Sequence, residues 1–250
     1  VVEVSVGILF QGALAESYTG GDNRLVLPTD TMKNTIYVLA RKQPIESIEE
    51  FALRAGDHFL ERFAHLSCVT VEIEQVPWQR MGDHGGAFSQ GGQERRTTKV
   101  TVSRDGKTLQ SGIRNLQILK TSGSGFLDFL NDEFTTLAET RDRLLGTVLD
   151  ADWRLRADKD GIAFNALHRE IRNALLEKFA SHDSLSVQHT LYAMAEAVID
   201  RFEKVHEIHL VMPNKHCLLF DLARFGLDNP NQIFVPTDEP SGYIEARVRR

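Results

Sequence analysis

Cysteine is scarce, long apolar runs are missing, and there is no excess of positive charge. Only Cys68 and Cys217 occur in 250 residues, too few for a disulfide framework or a four-thiolate metal site. Each lies in an apolar, strand-like segment. This suggests reduced, buried thiols in a cytoplasm, with a single disulfide as the alternative. Apolar runs such as "YVLA" and "CLLF" fall far short of a bilayer span, so no membrane partner is expected. The net charge is −6, and without a basic field nucleic acid is not an expected partner either. No charged-then-apolar leader opens the chain, and the closing "RVRR" matches no retention or peroxisomal signal. The location expected is a bacterial-type cytoplasm.

Catalytic signatures are also missing. "SGSGF" has neither the spacing nor the following Lys-Ser/Thr of a phosphate loop, and it does not fit a dinucleotide fingerprint. "GDHGG" offers Asp83 and His84 without His-x-x-x-His or Cys-x-x-Cys partners, and it reads as a solvated hairpin loop rather than a metal site. No Gly-x-Ser-x-Gly elbow is present, and neither cysteine sits in a nucleophile motif. Generic motifs therefore identify no enzyme.

The fraction of hydrophobic residues, 42%, is that of a globular chain, and its periodicity organises it. "VVEVSVGILF" alternates, placing Val2, Val4, Val6 and Ile8 on one face of a strand. "LPTDTMKNTIYVLARK" carries Met32, Ile36 and Leu39 at helical spacing, with Thr29 and Asp30 as N-cap residues. Ile48, Phe51, Ala52, Ala55, Phe59 and Phe63 form a second helical stripe. "CVTVEIEQV" is a strand with Val69, Val71 and Ile73 inward, and "RTTKVTVSRDGKTLQSGI" is two strands joined at Asp105-Gly106. The order then repeats. "LQILKT" and "TVLDADWRLRA" read as strands, and Asp160-Gly161 introduces a helix through Phe164, Leu167, Ile171 and Leu175. A further helix carries Val187, Leu191, Met194, Val198 and Phe202, followed by the strands "EIHLVM" and "GYIEARVRR". Strands and paired helices are segregated, which predicts an α+β fold with helices on one face of antiparallel sheets. A boundary near Asp105 gives units 1–105 and 106–250. Open sheet edges of this kind favour a multimer.

Three further stretches are unusual. "SGSGFLDFLNDEFTTLAETRDR" holds Phe126 and Arg143, five turns apart were it helical; "SLSVQHTLY" places Val187 and Gln188 at a helix start; "MPNKHCLLF" breaks a strand with Pro213, Asn214, Lys215 and His216. Taken singly, each has an ordinary explanation in core packing, capping or a satisfied histidine.

Together these stretches resemble the urate oxidase (uricase) family, from about Glu3 to the C-terminus, most strongly in "TDTMKNT", "GFLDFLNDEFTTLAETRDR", "SVQ" with "TLY", and "PNKH". The resemblance implies two tandem T-fold units and a homotetramer whose sheets close into a tunnel-like barrel, with active sites at subunit interfaces and neither metal nor organic cofactor. It implies that Phe126 stacks on urate, Arg143 grips it with a bidentate fork, Gln188 and the Val187 N–H hold its other edge, and Leu137 forms an apolar wall. Asn214 would hold dioxygen or water, Thr29 and His216 would relay protons, and Asp30 would approach from the neighbouring subunit. In this family a lysine preceding the stretch that aligns with Val1 completes the relay. The chain is therefore expected to continue upstream in nature, and a T-fold purine-binding protein impaired in catalysis is the alternative. The segment around "QRMGDHGGAF" also reads as short for the family.

Overall fold

The elements follow the periodicity closely. The computed structural model describes residues 1–155 and 161–250; the strand end at Arg156-Ala157 and the helix-start signal at Asp160 lie outside the described residues. In chain order the elements are β1 (Glu3–Gly12), α1 (Ala15–Thr19), α2 (Thr29–Lys42), α3 (Ile48–Arg62), β2 (Leu66–Val76), β3 (Trp78–Arg80), β4 (Phe88–Gln90), β5 (Arg95–Ser103), β6 (Gly106–Lys120) and β7 (Leu145–Leu155). They continue with α4 (Phe164–Ser181), α5 (Val187–Arg201), β8 (Val205–Val211), β9 (Asn214–Leu219), β10 (Phe234–Gly242) and β11 (Glu245–Arg249). The fold is α+β with antiparallel pairing. No helix among the described residues is long and apolar enough to cross a membrane.

Backbone contacts divide the chain into two compact units, Val1–Arg114 with Trp153–Arg169, and Asn115–Asp152 with Glu170–Arg250. In the first, β1 alternates as its sequence requires, with Val4, Val6 and Ile8 half-buried and Glu3, Ser5 and Gly7 exposed. Antiparallel registers Val6↔Ile73, Val71↔Val100 and Val100↔Leu109 align the inward residues of β1, β2, β5 and β6. Helix α3 lays Ile48, Phe51, Ala52, Ala55 and Phe59 on that sheet, each at most 1% exposed. At Gly56 a Cβ would lie 2.7 Å from Val102 Cγ2, so glycine is what lets the helix approach β5. Ser47 and Glu50 open α3 as a reciprocal cap: the Glu50 N–H donates to Ser47 Oγ (3.3 Å), and that hydroxyl donates to the Glu50 carboxylate (2.8 Å). The fully buried Glu49 accepts from Arg96 (2.6 Å) and Ser111 (2.8 Å).

Three local expectations change. The N-cap of α2 is Pro28, without a side-chain cap bond; Thr29 and Asp30 are the first helical residues. Asp30 instead accepts from Asn34 (2.9 Å) and Lys33 (3.1 Å) along the exposed face. "TLQSGI" and "LQILK" belong to one strand, β6, interrupted where Asn115 adopts φ +58° and its N–H donates to Asp150 (2.9 Å). Asparagine is among the few side chains that tolerate this conformation. Cys68 and Cys217 are free thiols, half-buried rather than buried.

In the second unit, α4 contributes Ile171, Leu175 and Phe179 to the core, and α5 contributes Val187, Leu191, Met194 and Val198. β8 pairs with β11 through Ile208↔Val248. Pro213 marks where the chain leaves β8 and its partner β11; from Asn214 onward β9 pairs with β10.

Candidate active site around Phe126 and Arg143

Residues 121–144 form no helix and no named strand, so Phe126 and Arg143 are not separated by helical turns. Two isolated bridges fold the segment back on itself: Ser124 with Ser184 and Phe126 with Thr140. The Phe126 N–H donates to the Thr140 carbonyl (2.7 Å), the Thr140 N–H returns to Phe126 (3.0 Å), and the Arg143 N–H donates to the Ser124 carbonyl (2.9 Å). Gly125 permits the approach, since a Cβ there would meet the Thr140 oxygen at 3.1 Å and Arg141 Cα at 3.4 Å. The result brings Arg143 Cζ to 5.5 Å from the Phe126 ring centre.

Arg143 is the electrostatic centre of this group. It is half-buried, its Nε has no hydrogen-bond partner, and among the described residues no carboxylate pairs with it. Burial pushes its guanidinium pKa below the usual arginine value. A partly desolvated cation without a counter-charge is stabilised by an anion, above all a planar one able to accept two parallel N–H bonds.

The same bridges reach the start of α5. The Gly125 N–H donates to the Ser184 carbonyl (2.8 Å), the Ser184 N–H to Gly123 (2.9 Å), and the Ser184 hydroxyl to Ser186 (3.0 Å). Ser186 caps α5 by accepting from the His189 N–H (3.1 Å). Val187 and Gln188 therefore open a helix whose first turn is tied to the Phe126 segment; Val187 is buried and Gln188 exposed. On the same turn His182 Nε2 and His189 Nδ1 share a hydrogen bond of 3.2 Å.

Asn214 and His216 alternate along β9 and so project from one face, both half-buried. His216 stands opposite Thr237 on β10. Lys215 forms a bridge to Gly146, shortly after Arg143 on β7, which links the "PNKH" strand to the Arg143 segment. Leu137 is 61% exposed. Thr29 and Asp30 are exposed at the start of α2 in the other unit. There Thr29 lines an apolar cavity of about 360 Å³ with Val4, Val6, Ile8 and Met32; its lining includes none of the other site residues and offers an anion little beyond Lys33. Among the described residues no group of three or more His, Cys, Asp or Glu side chains could hold a metal ion. Sequence reasoning missed Phe129, whose ring stacks on Phe126 at 4.8 Å between centres; the only signal was its spacing of three from Phe126.

The sequence profile of the uricase family matches residues 11–101 and 109–245. The chain belongs to the uricase family. Uricase from Arthrobacter globiformis is 40% identical over 250 residues, covering all of this chain and 82% of the relative. Uricase from Schizosaccharomyces pombe is 36% identical, covering all of this chain and 89% of the relative. The fold agrees: the crystal structure of the A. globiformis uricase superposes with a TM-score of 0.96 over all of this chain and 86% of that one. That of a uricase from Bacillus fastidious, 26% identical, reaches 0.86 over 98% of this chain and 81% of its own. The uricase fold is the T-fold.

Proposed function

We propose that this protein is a urate oxidase of purine catabolism, converting urate, dioxygen and water to 5-hydroxyisourate and hydrogen peroxide. The observation that carries the reading is the desolvated, unpaired Arg143 beside the Phe126 ring in a chain of the uricase family. Urate is a planar, electron-rich anion at neutral pH. Phe126 stacks on it, and the Arg143 fork binds one edge through paired N–H donors. Gln188 and the Val187 N–H take the opposite edge, and Leu137 closes an apolar side. The anion supplies two electrons to dioxygen, so the protein's work is alignment, proton transfer and a polar seat for the oxygen species. Asn214 holds dioxygen or water over the ring; Thr29 and His216 move protons; neither metal nor organic cofactor takes part.

The assembly belongs to the same proposal. Two T-fold units, 1–105 and 106–250, build a subunit, and four subunits close a tunnel-like barrel. Thr29 and Asp30 reach the site from the neighbouring copy, and their exposure at the N-terminus of α2 suits that role, because free N–H groups and the helix dipole favour an anion there. The location proposed is the cytoplasm.

The test is oxygen consumption with loss of the urate ultraviolet band and matching release of peroxide, unchanged by chelators. An intact protein that leaves urate unconsumed, or whose turnover collapses with chelator, would overturn the proposal.

A further inference from the structure

We infer that Phe129 is a positioning residue for the substrate: its ring backs Phe126 and fixes the plane on which the purine lies. The inference rests on the urate reading above and extends it to a side chain that touches no substrate. The two rings lie 4.8 Å apart between centres and 11° from parallel, an offset stack of the kind aromatic pairs prefer. Phe129 thus covers one face of Phe126.

The stack is built deliberately by the backbone. Asp128, between the two, adopts φ +53°, a left-handed turn that few side chains other than glycine, asparagine and aspartate accept. Its N–H is pinned by the Glu139 carboxylate at 2.8 Å. That turn returns Phe129 onto Phe126, while neighbouring Leu130 and Phe134 remain 98% and 81% exposed. The contact is therefore a local ring pair and not part of a general core. Phe126 is itself held at both backbone groups by Thr140, which fixes its position but leaves the ring free to rotate about its side-chain bonds. Phe129 removes that freedom. Since the Arg143 guanidinium is placed 5.5 Å from the same ring centre, a tilt of Phe126 would shift a stacked purine out of line with the guanidinium fork.

Urate titration of the intact protein without oxygen separates binding from turnover. Phe129→Leu is expected to raise the urate Kd about 3–10-fold while kcat at saturating urate stays within about twofold, and Phe129→Tyr is expected to keep the wild-type Kd. A folded Phe129→Leu protein with unchanged Kd, or with kcat lost and Kd unchanged, overturns the inference. Should the leucine variant not fold, Glu139→Ala, which removes the acceptor that holds the Asp128 turn, decides the matter: a raised Kd supports the positioning role and an unchanged one refutes it. Wild-type protein that binds no urate defeats the urate reading itself, an outcome distinct from equal binding by wild type and variant.

Discussion

A guanidinium without a carboxylate is the most informative single group in this molecule. Surface arginines are ordinarily solvated or paired. Arg143 is half-buried with an unpartnered Nε, and leaving a charged donor unsatisfied costs free energy that a bound anion returns. Removing the fork should therefore weaken the substrate more than the fold. Arg143→Ala is expected to reduce urate affinity by about 1.5–3 kcal/mol, the usual range for hydrogen bonds to a charged group, with little change in thermal midpoint. Arg143→Lys should recover only part of this, because an ammonium cannot supply two parallel donors. Oxygen-free urate titration of the three proteins measures the series, and equal affinities would remove Arg143 from the site. The motif "TRDR" alone did not reveal this, because an arginine with Glu139 and Asp142 close by in sequence can pair with either or face solvent, and the structure pairs it with neither.

At the scale of elements, β1, β2, α3, α5 and β8 were legible because their apolar residues repeat with the period of the structure they adopt. The segment 121–144 was not, because its order comes from backbone bridges to Ser184 and between Phe126 and Thr140, and such pairings leave no periodic trace. The pairing of β9 with β10 was not legible for a related reason: Pro213 breaks the strand pattern just where the chain changes partner. Ties between elements can be tested by stability. Arg96 joins β5 to the buried Glu49 of α3 (2.6 Å) and to Asn165 of α4 (2.6 Å). Arg96→Met would strand a buried carboxylate with Ser111 as its remaining donor, at an expected cost of about 3–5 kcal/mol in unfolding experiments. Adding Glu49→Leu should return much of that loss, since the uncompensated charge disappears. The turn between α4 and α5 makes a separate prediction. Burial, then His189, Lys178 and Lys120, lower the pKa of His182 against the opposing pull of Asp183. The unfolded chain thus binds a proton more readily than the folded one, so stability is held above pH 6.5 and declines as pH falls through the window below it. His182→Gln should flatten the dependence of thermal midpoint on pH in that window, and an unchanged slope would show that this imidazole is not involved.

For the whole molecule the decisive question is how many chains build one site. Phe126, Arg143, Val187 and Gln188 belong to one compact unit, tied together by the Ser124–Ser184 bridge. Thr29 and Asp30 belong to the other unit and stand exposed at the start of α2. In the proposed assembly the two groups meet across a subunit interface, each site taking Arg143 from one copy and Thr29 from its neighbour. This arrangement has a consequence that a site built within one chain cannot imitate. Thr29→Ala and Arg143→Ala proteins should each be nearly inactive alone. Unfolded together in equal amounts and reassembled, they distribute at random, and about one site in four then receives the intact Arg143 of one parent and the intact Thr29 of the other. Urate oxidation should rise accordingly to about a quarter of that of wild-type protein carried through the same reassembly, with an equal share of sites defective in both residues. Mixing the folded variants without unfolding should restore much less while subunits fail to exchange. If both residues came from the same chain, every site would lack one of them whatever the mixture, and activity would stay at the level of the parents.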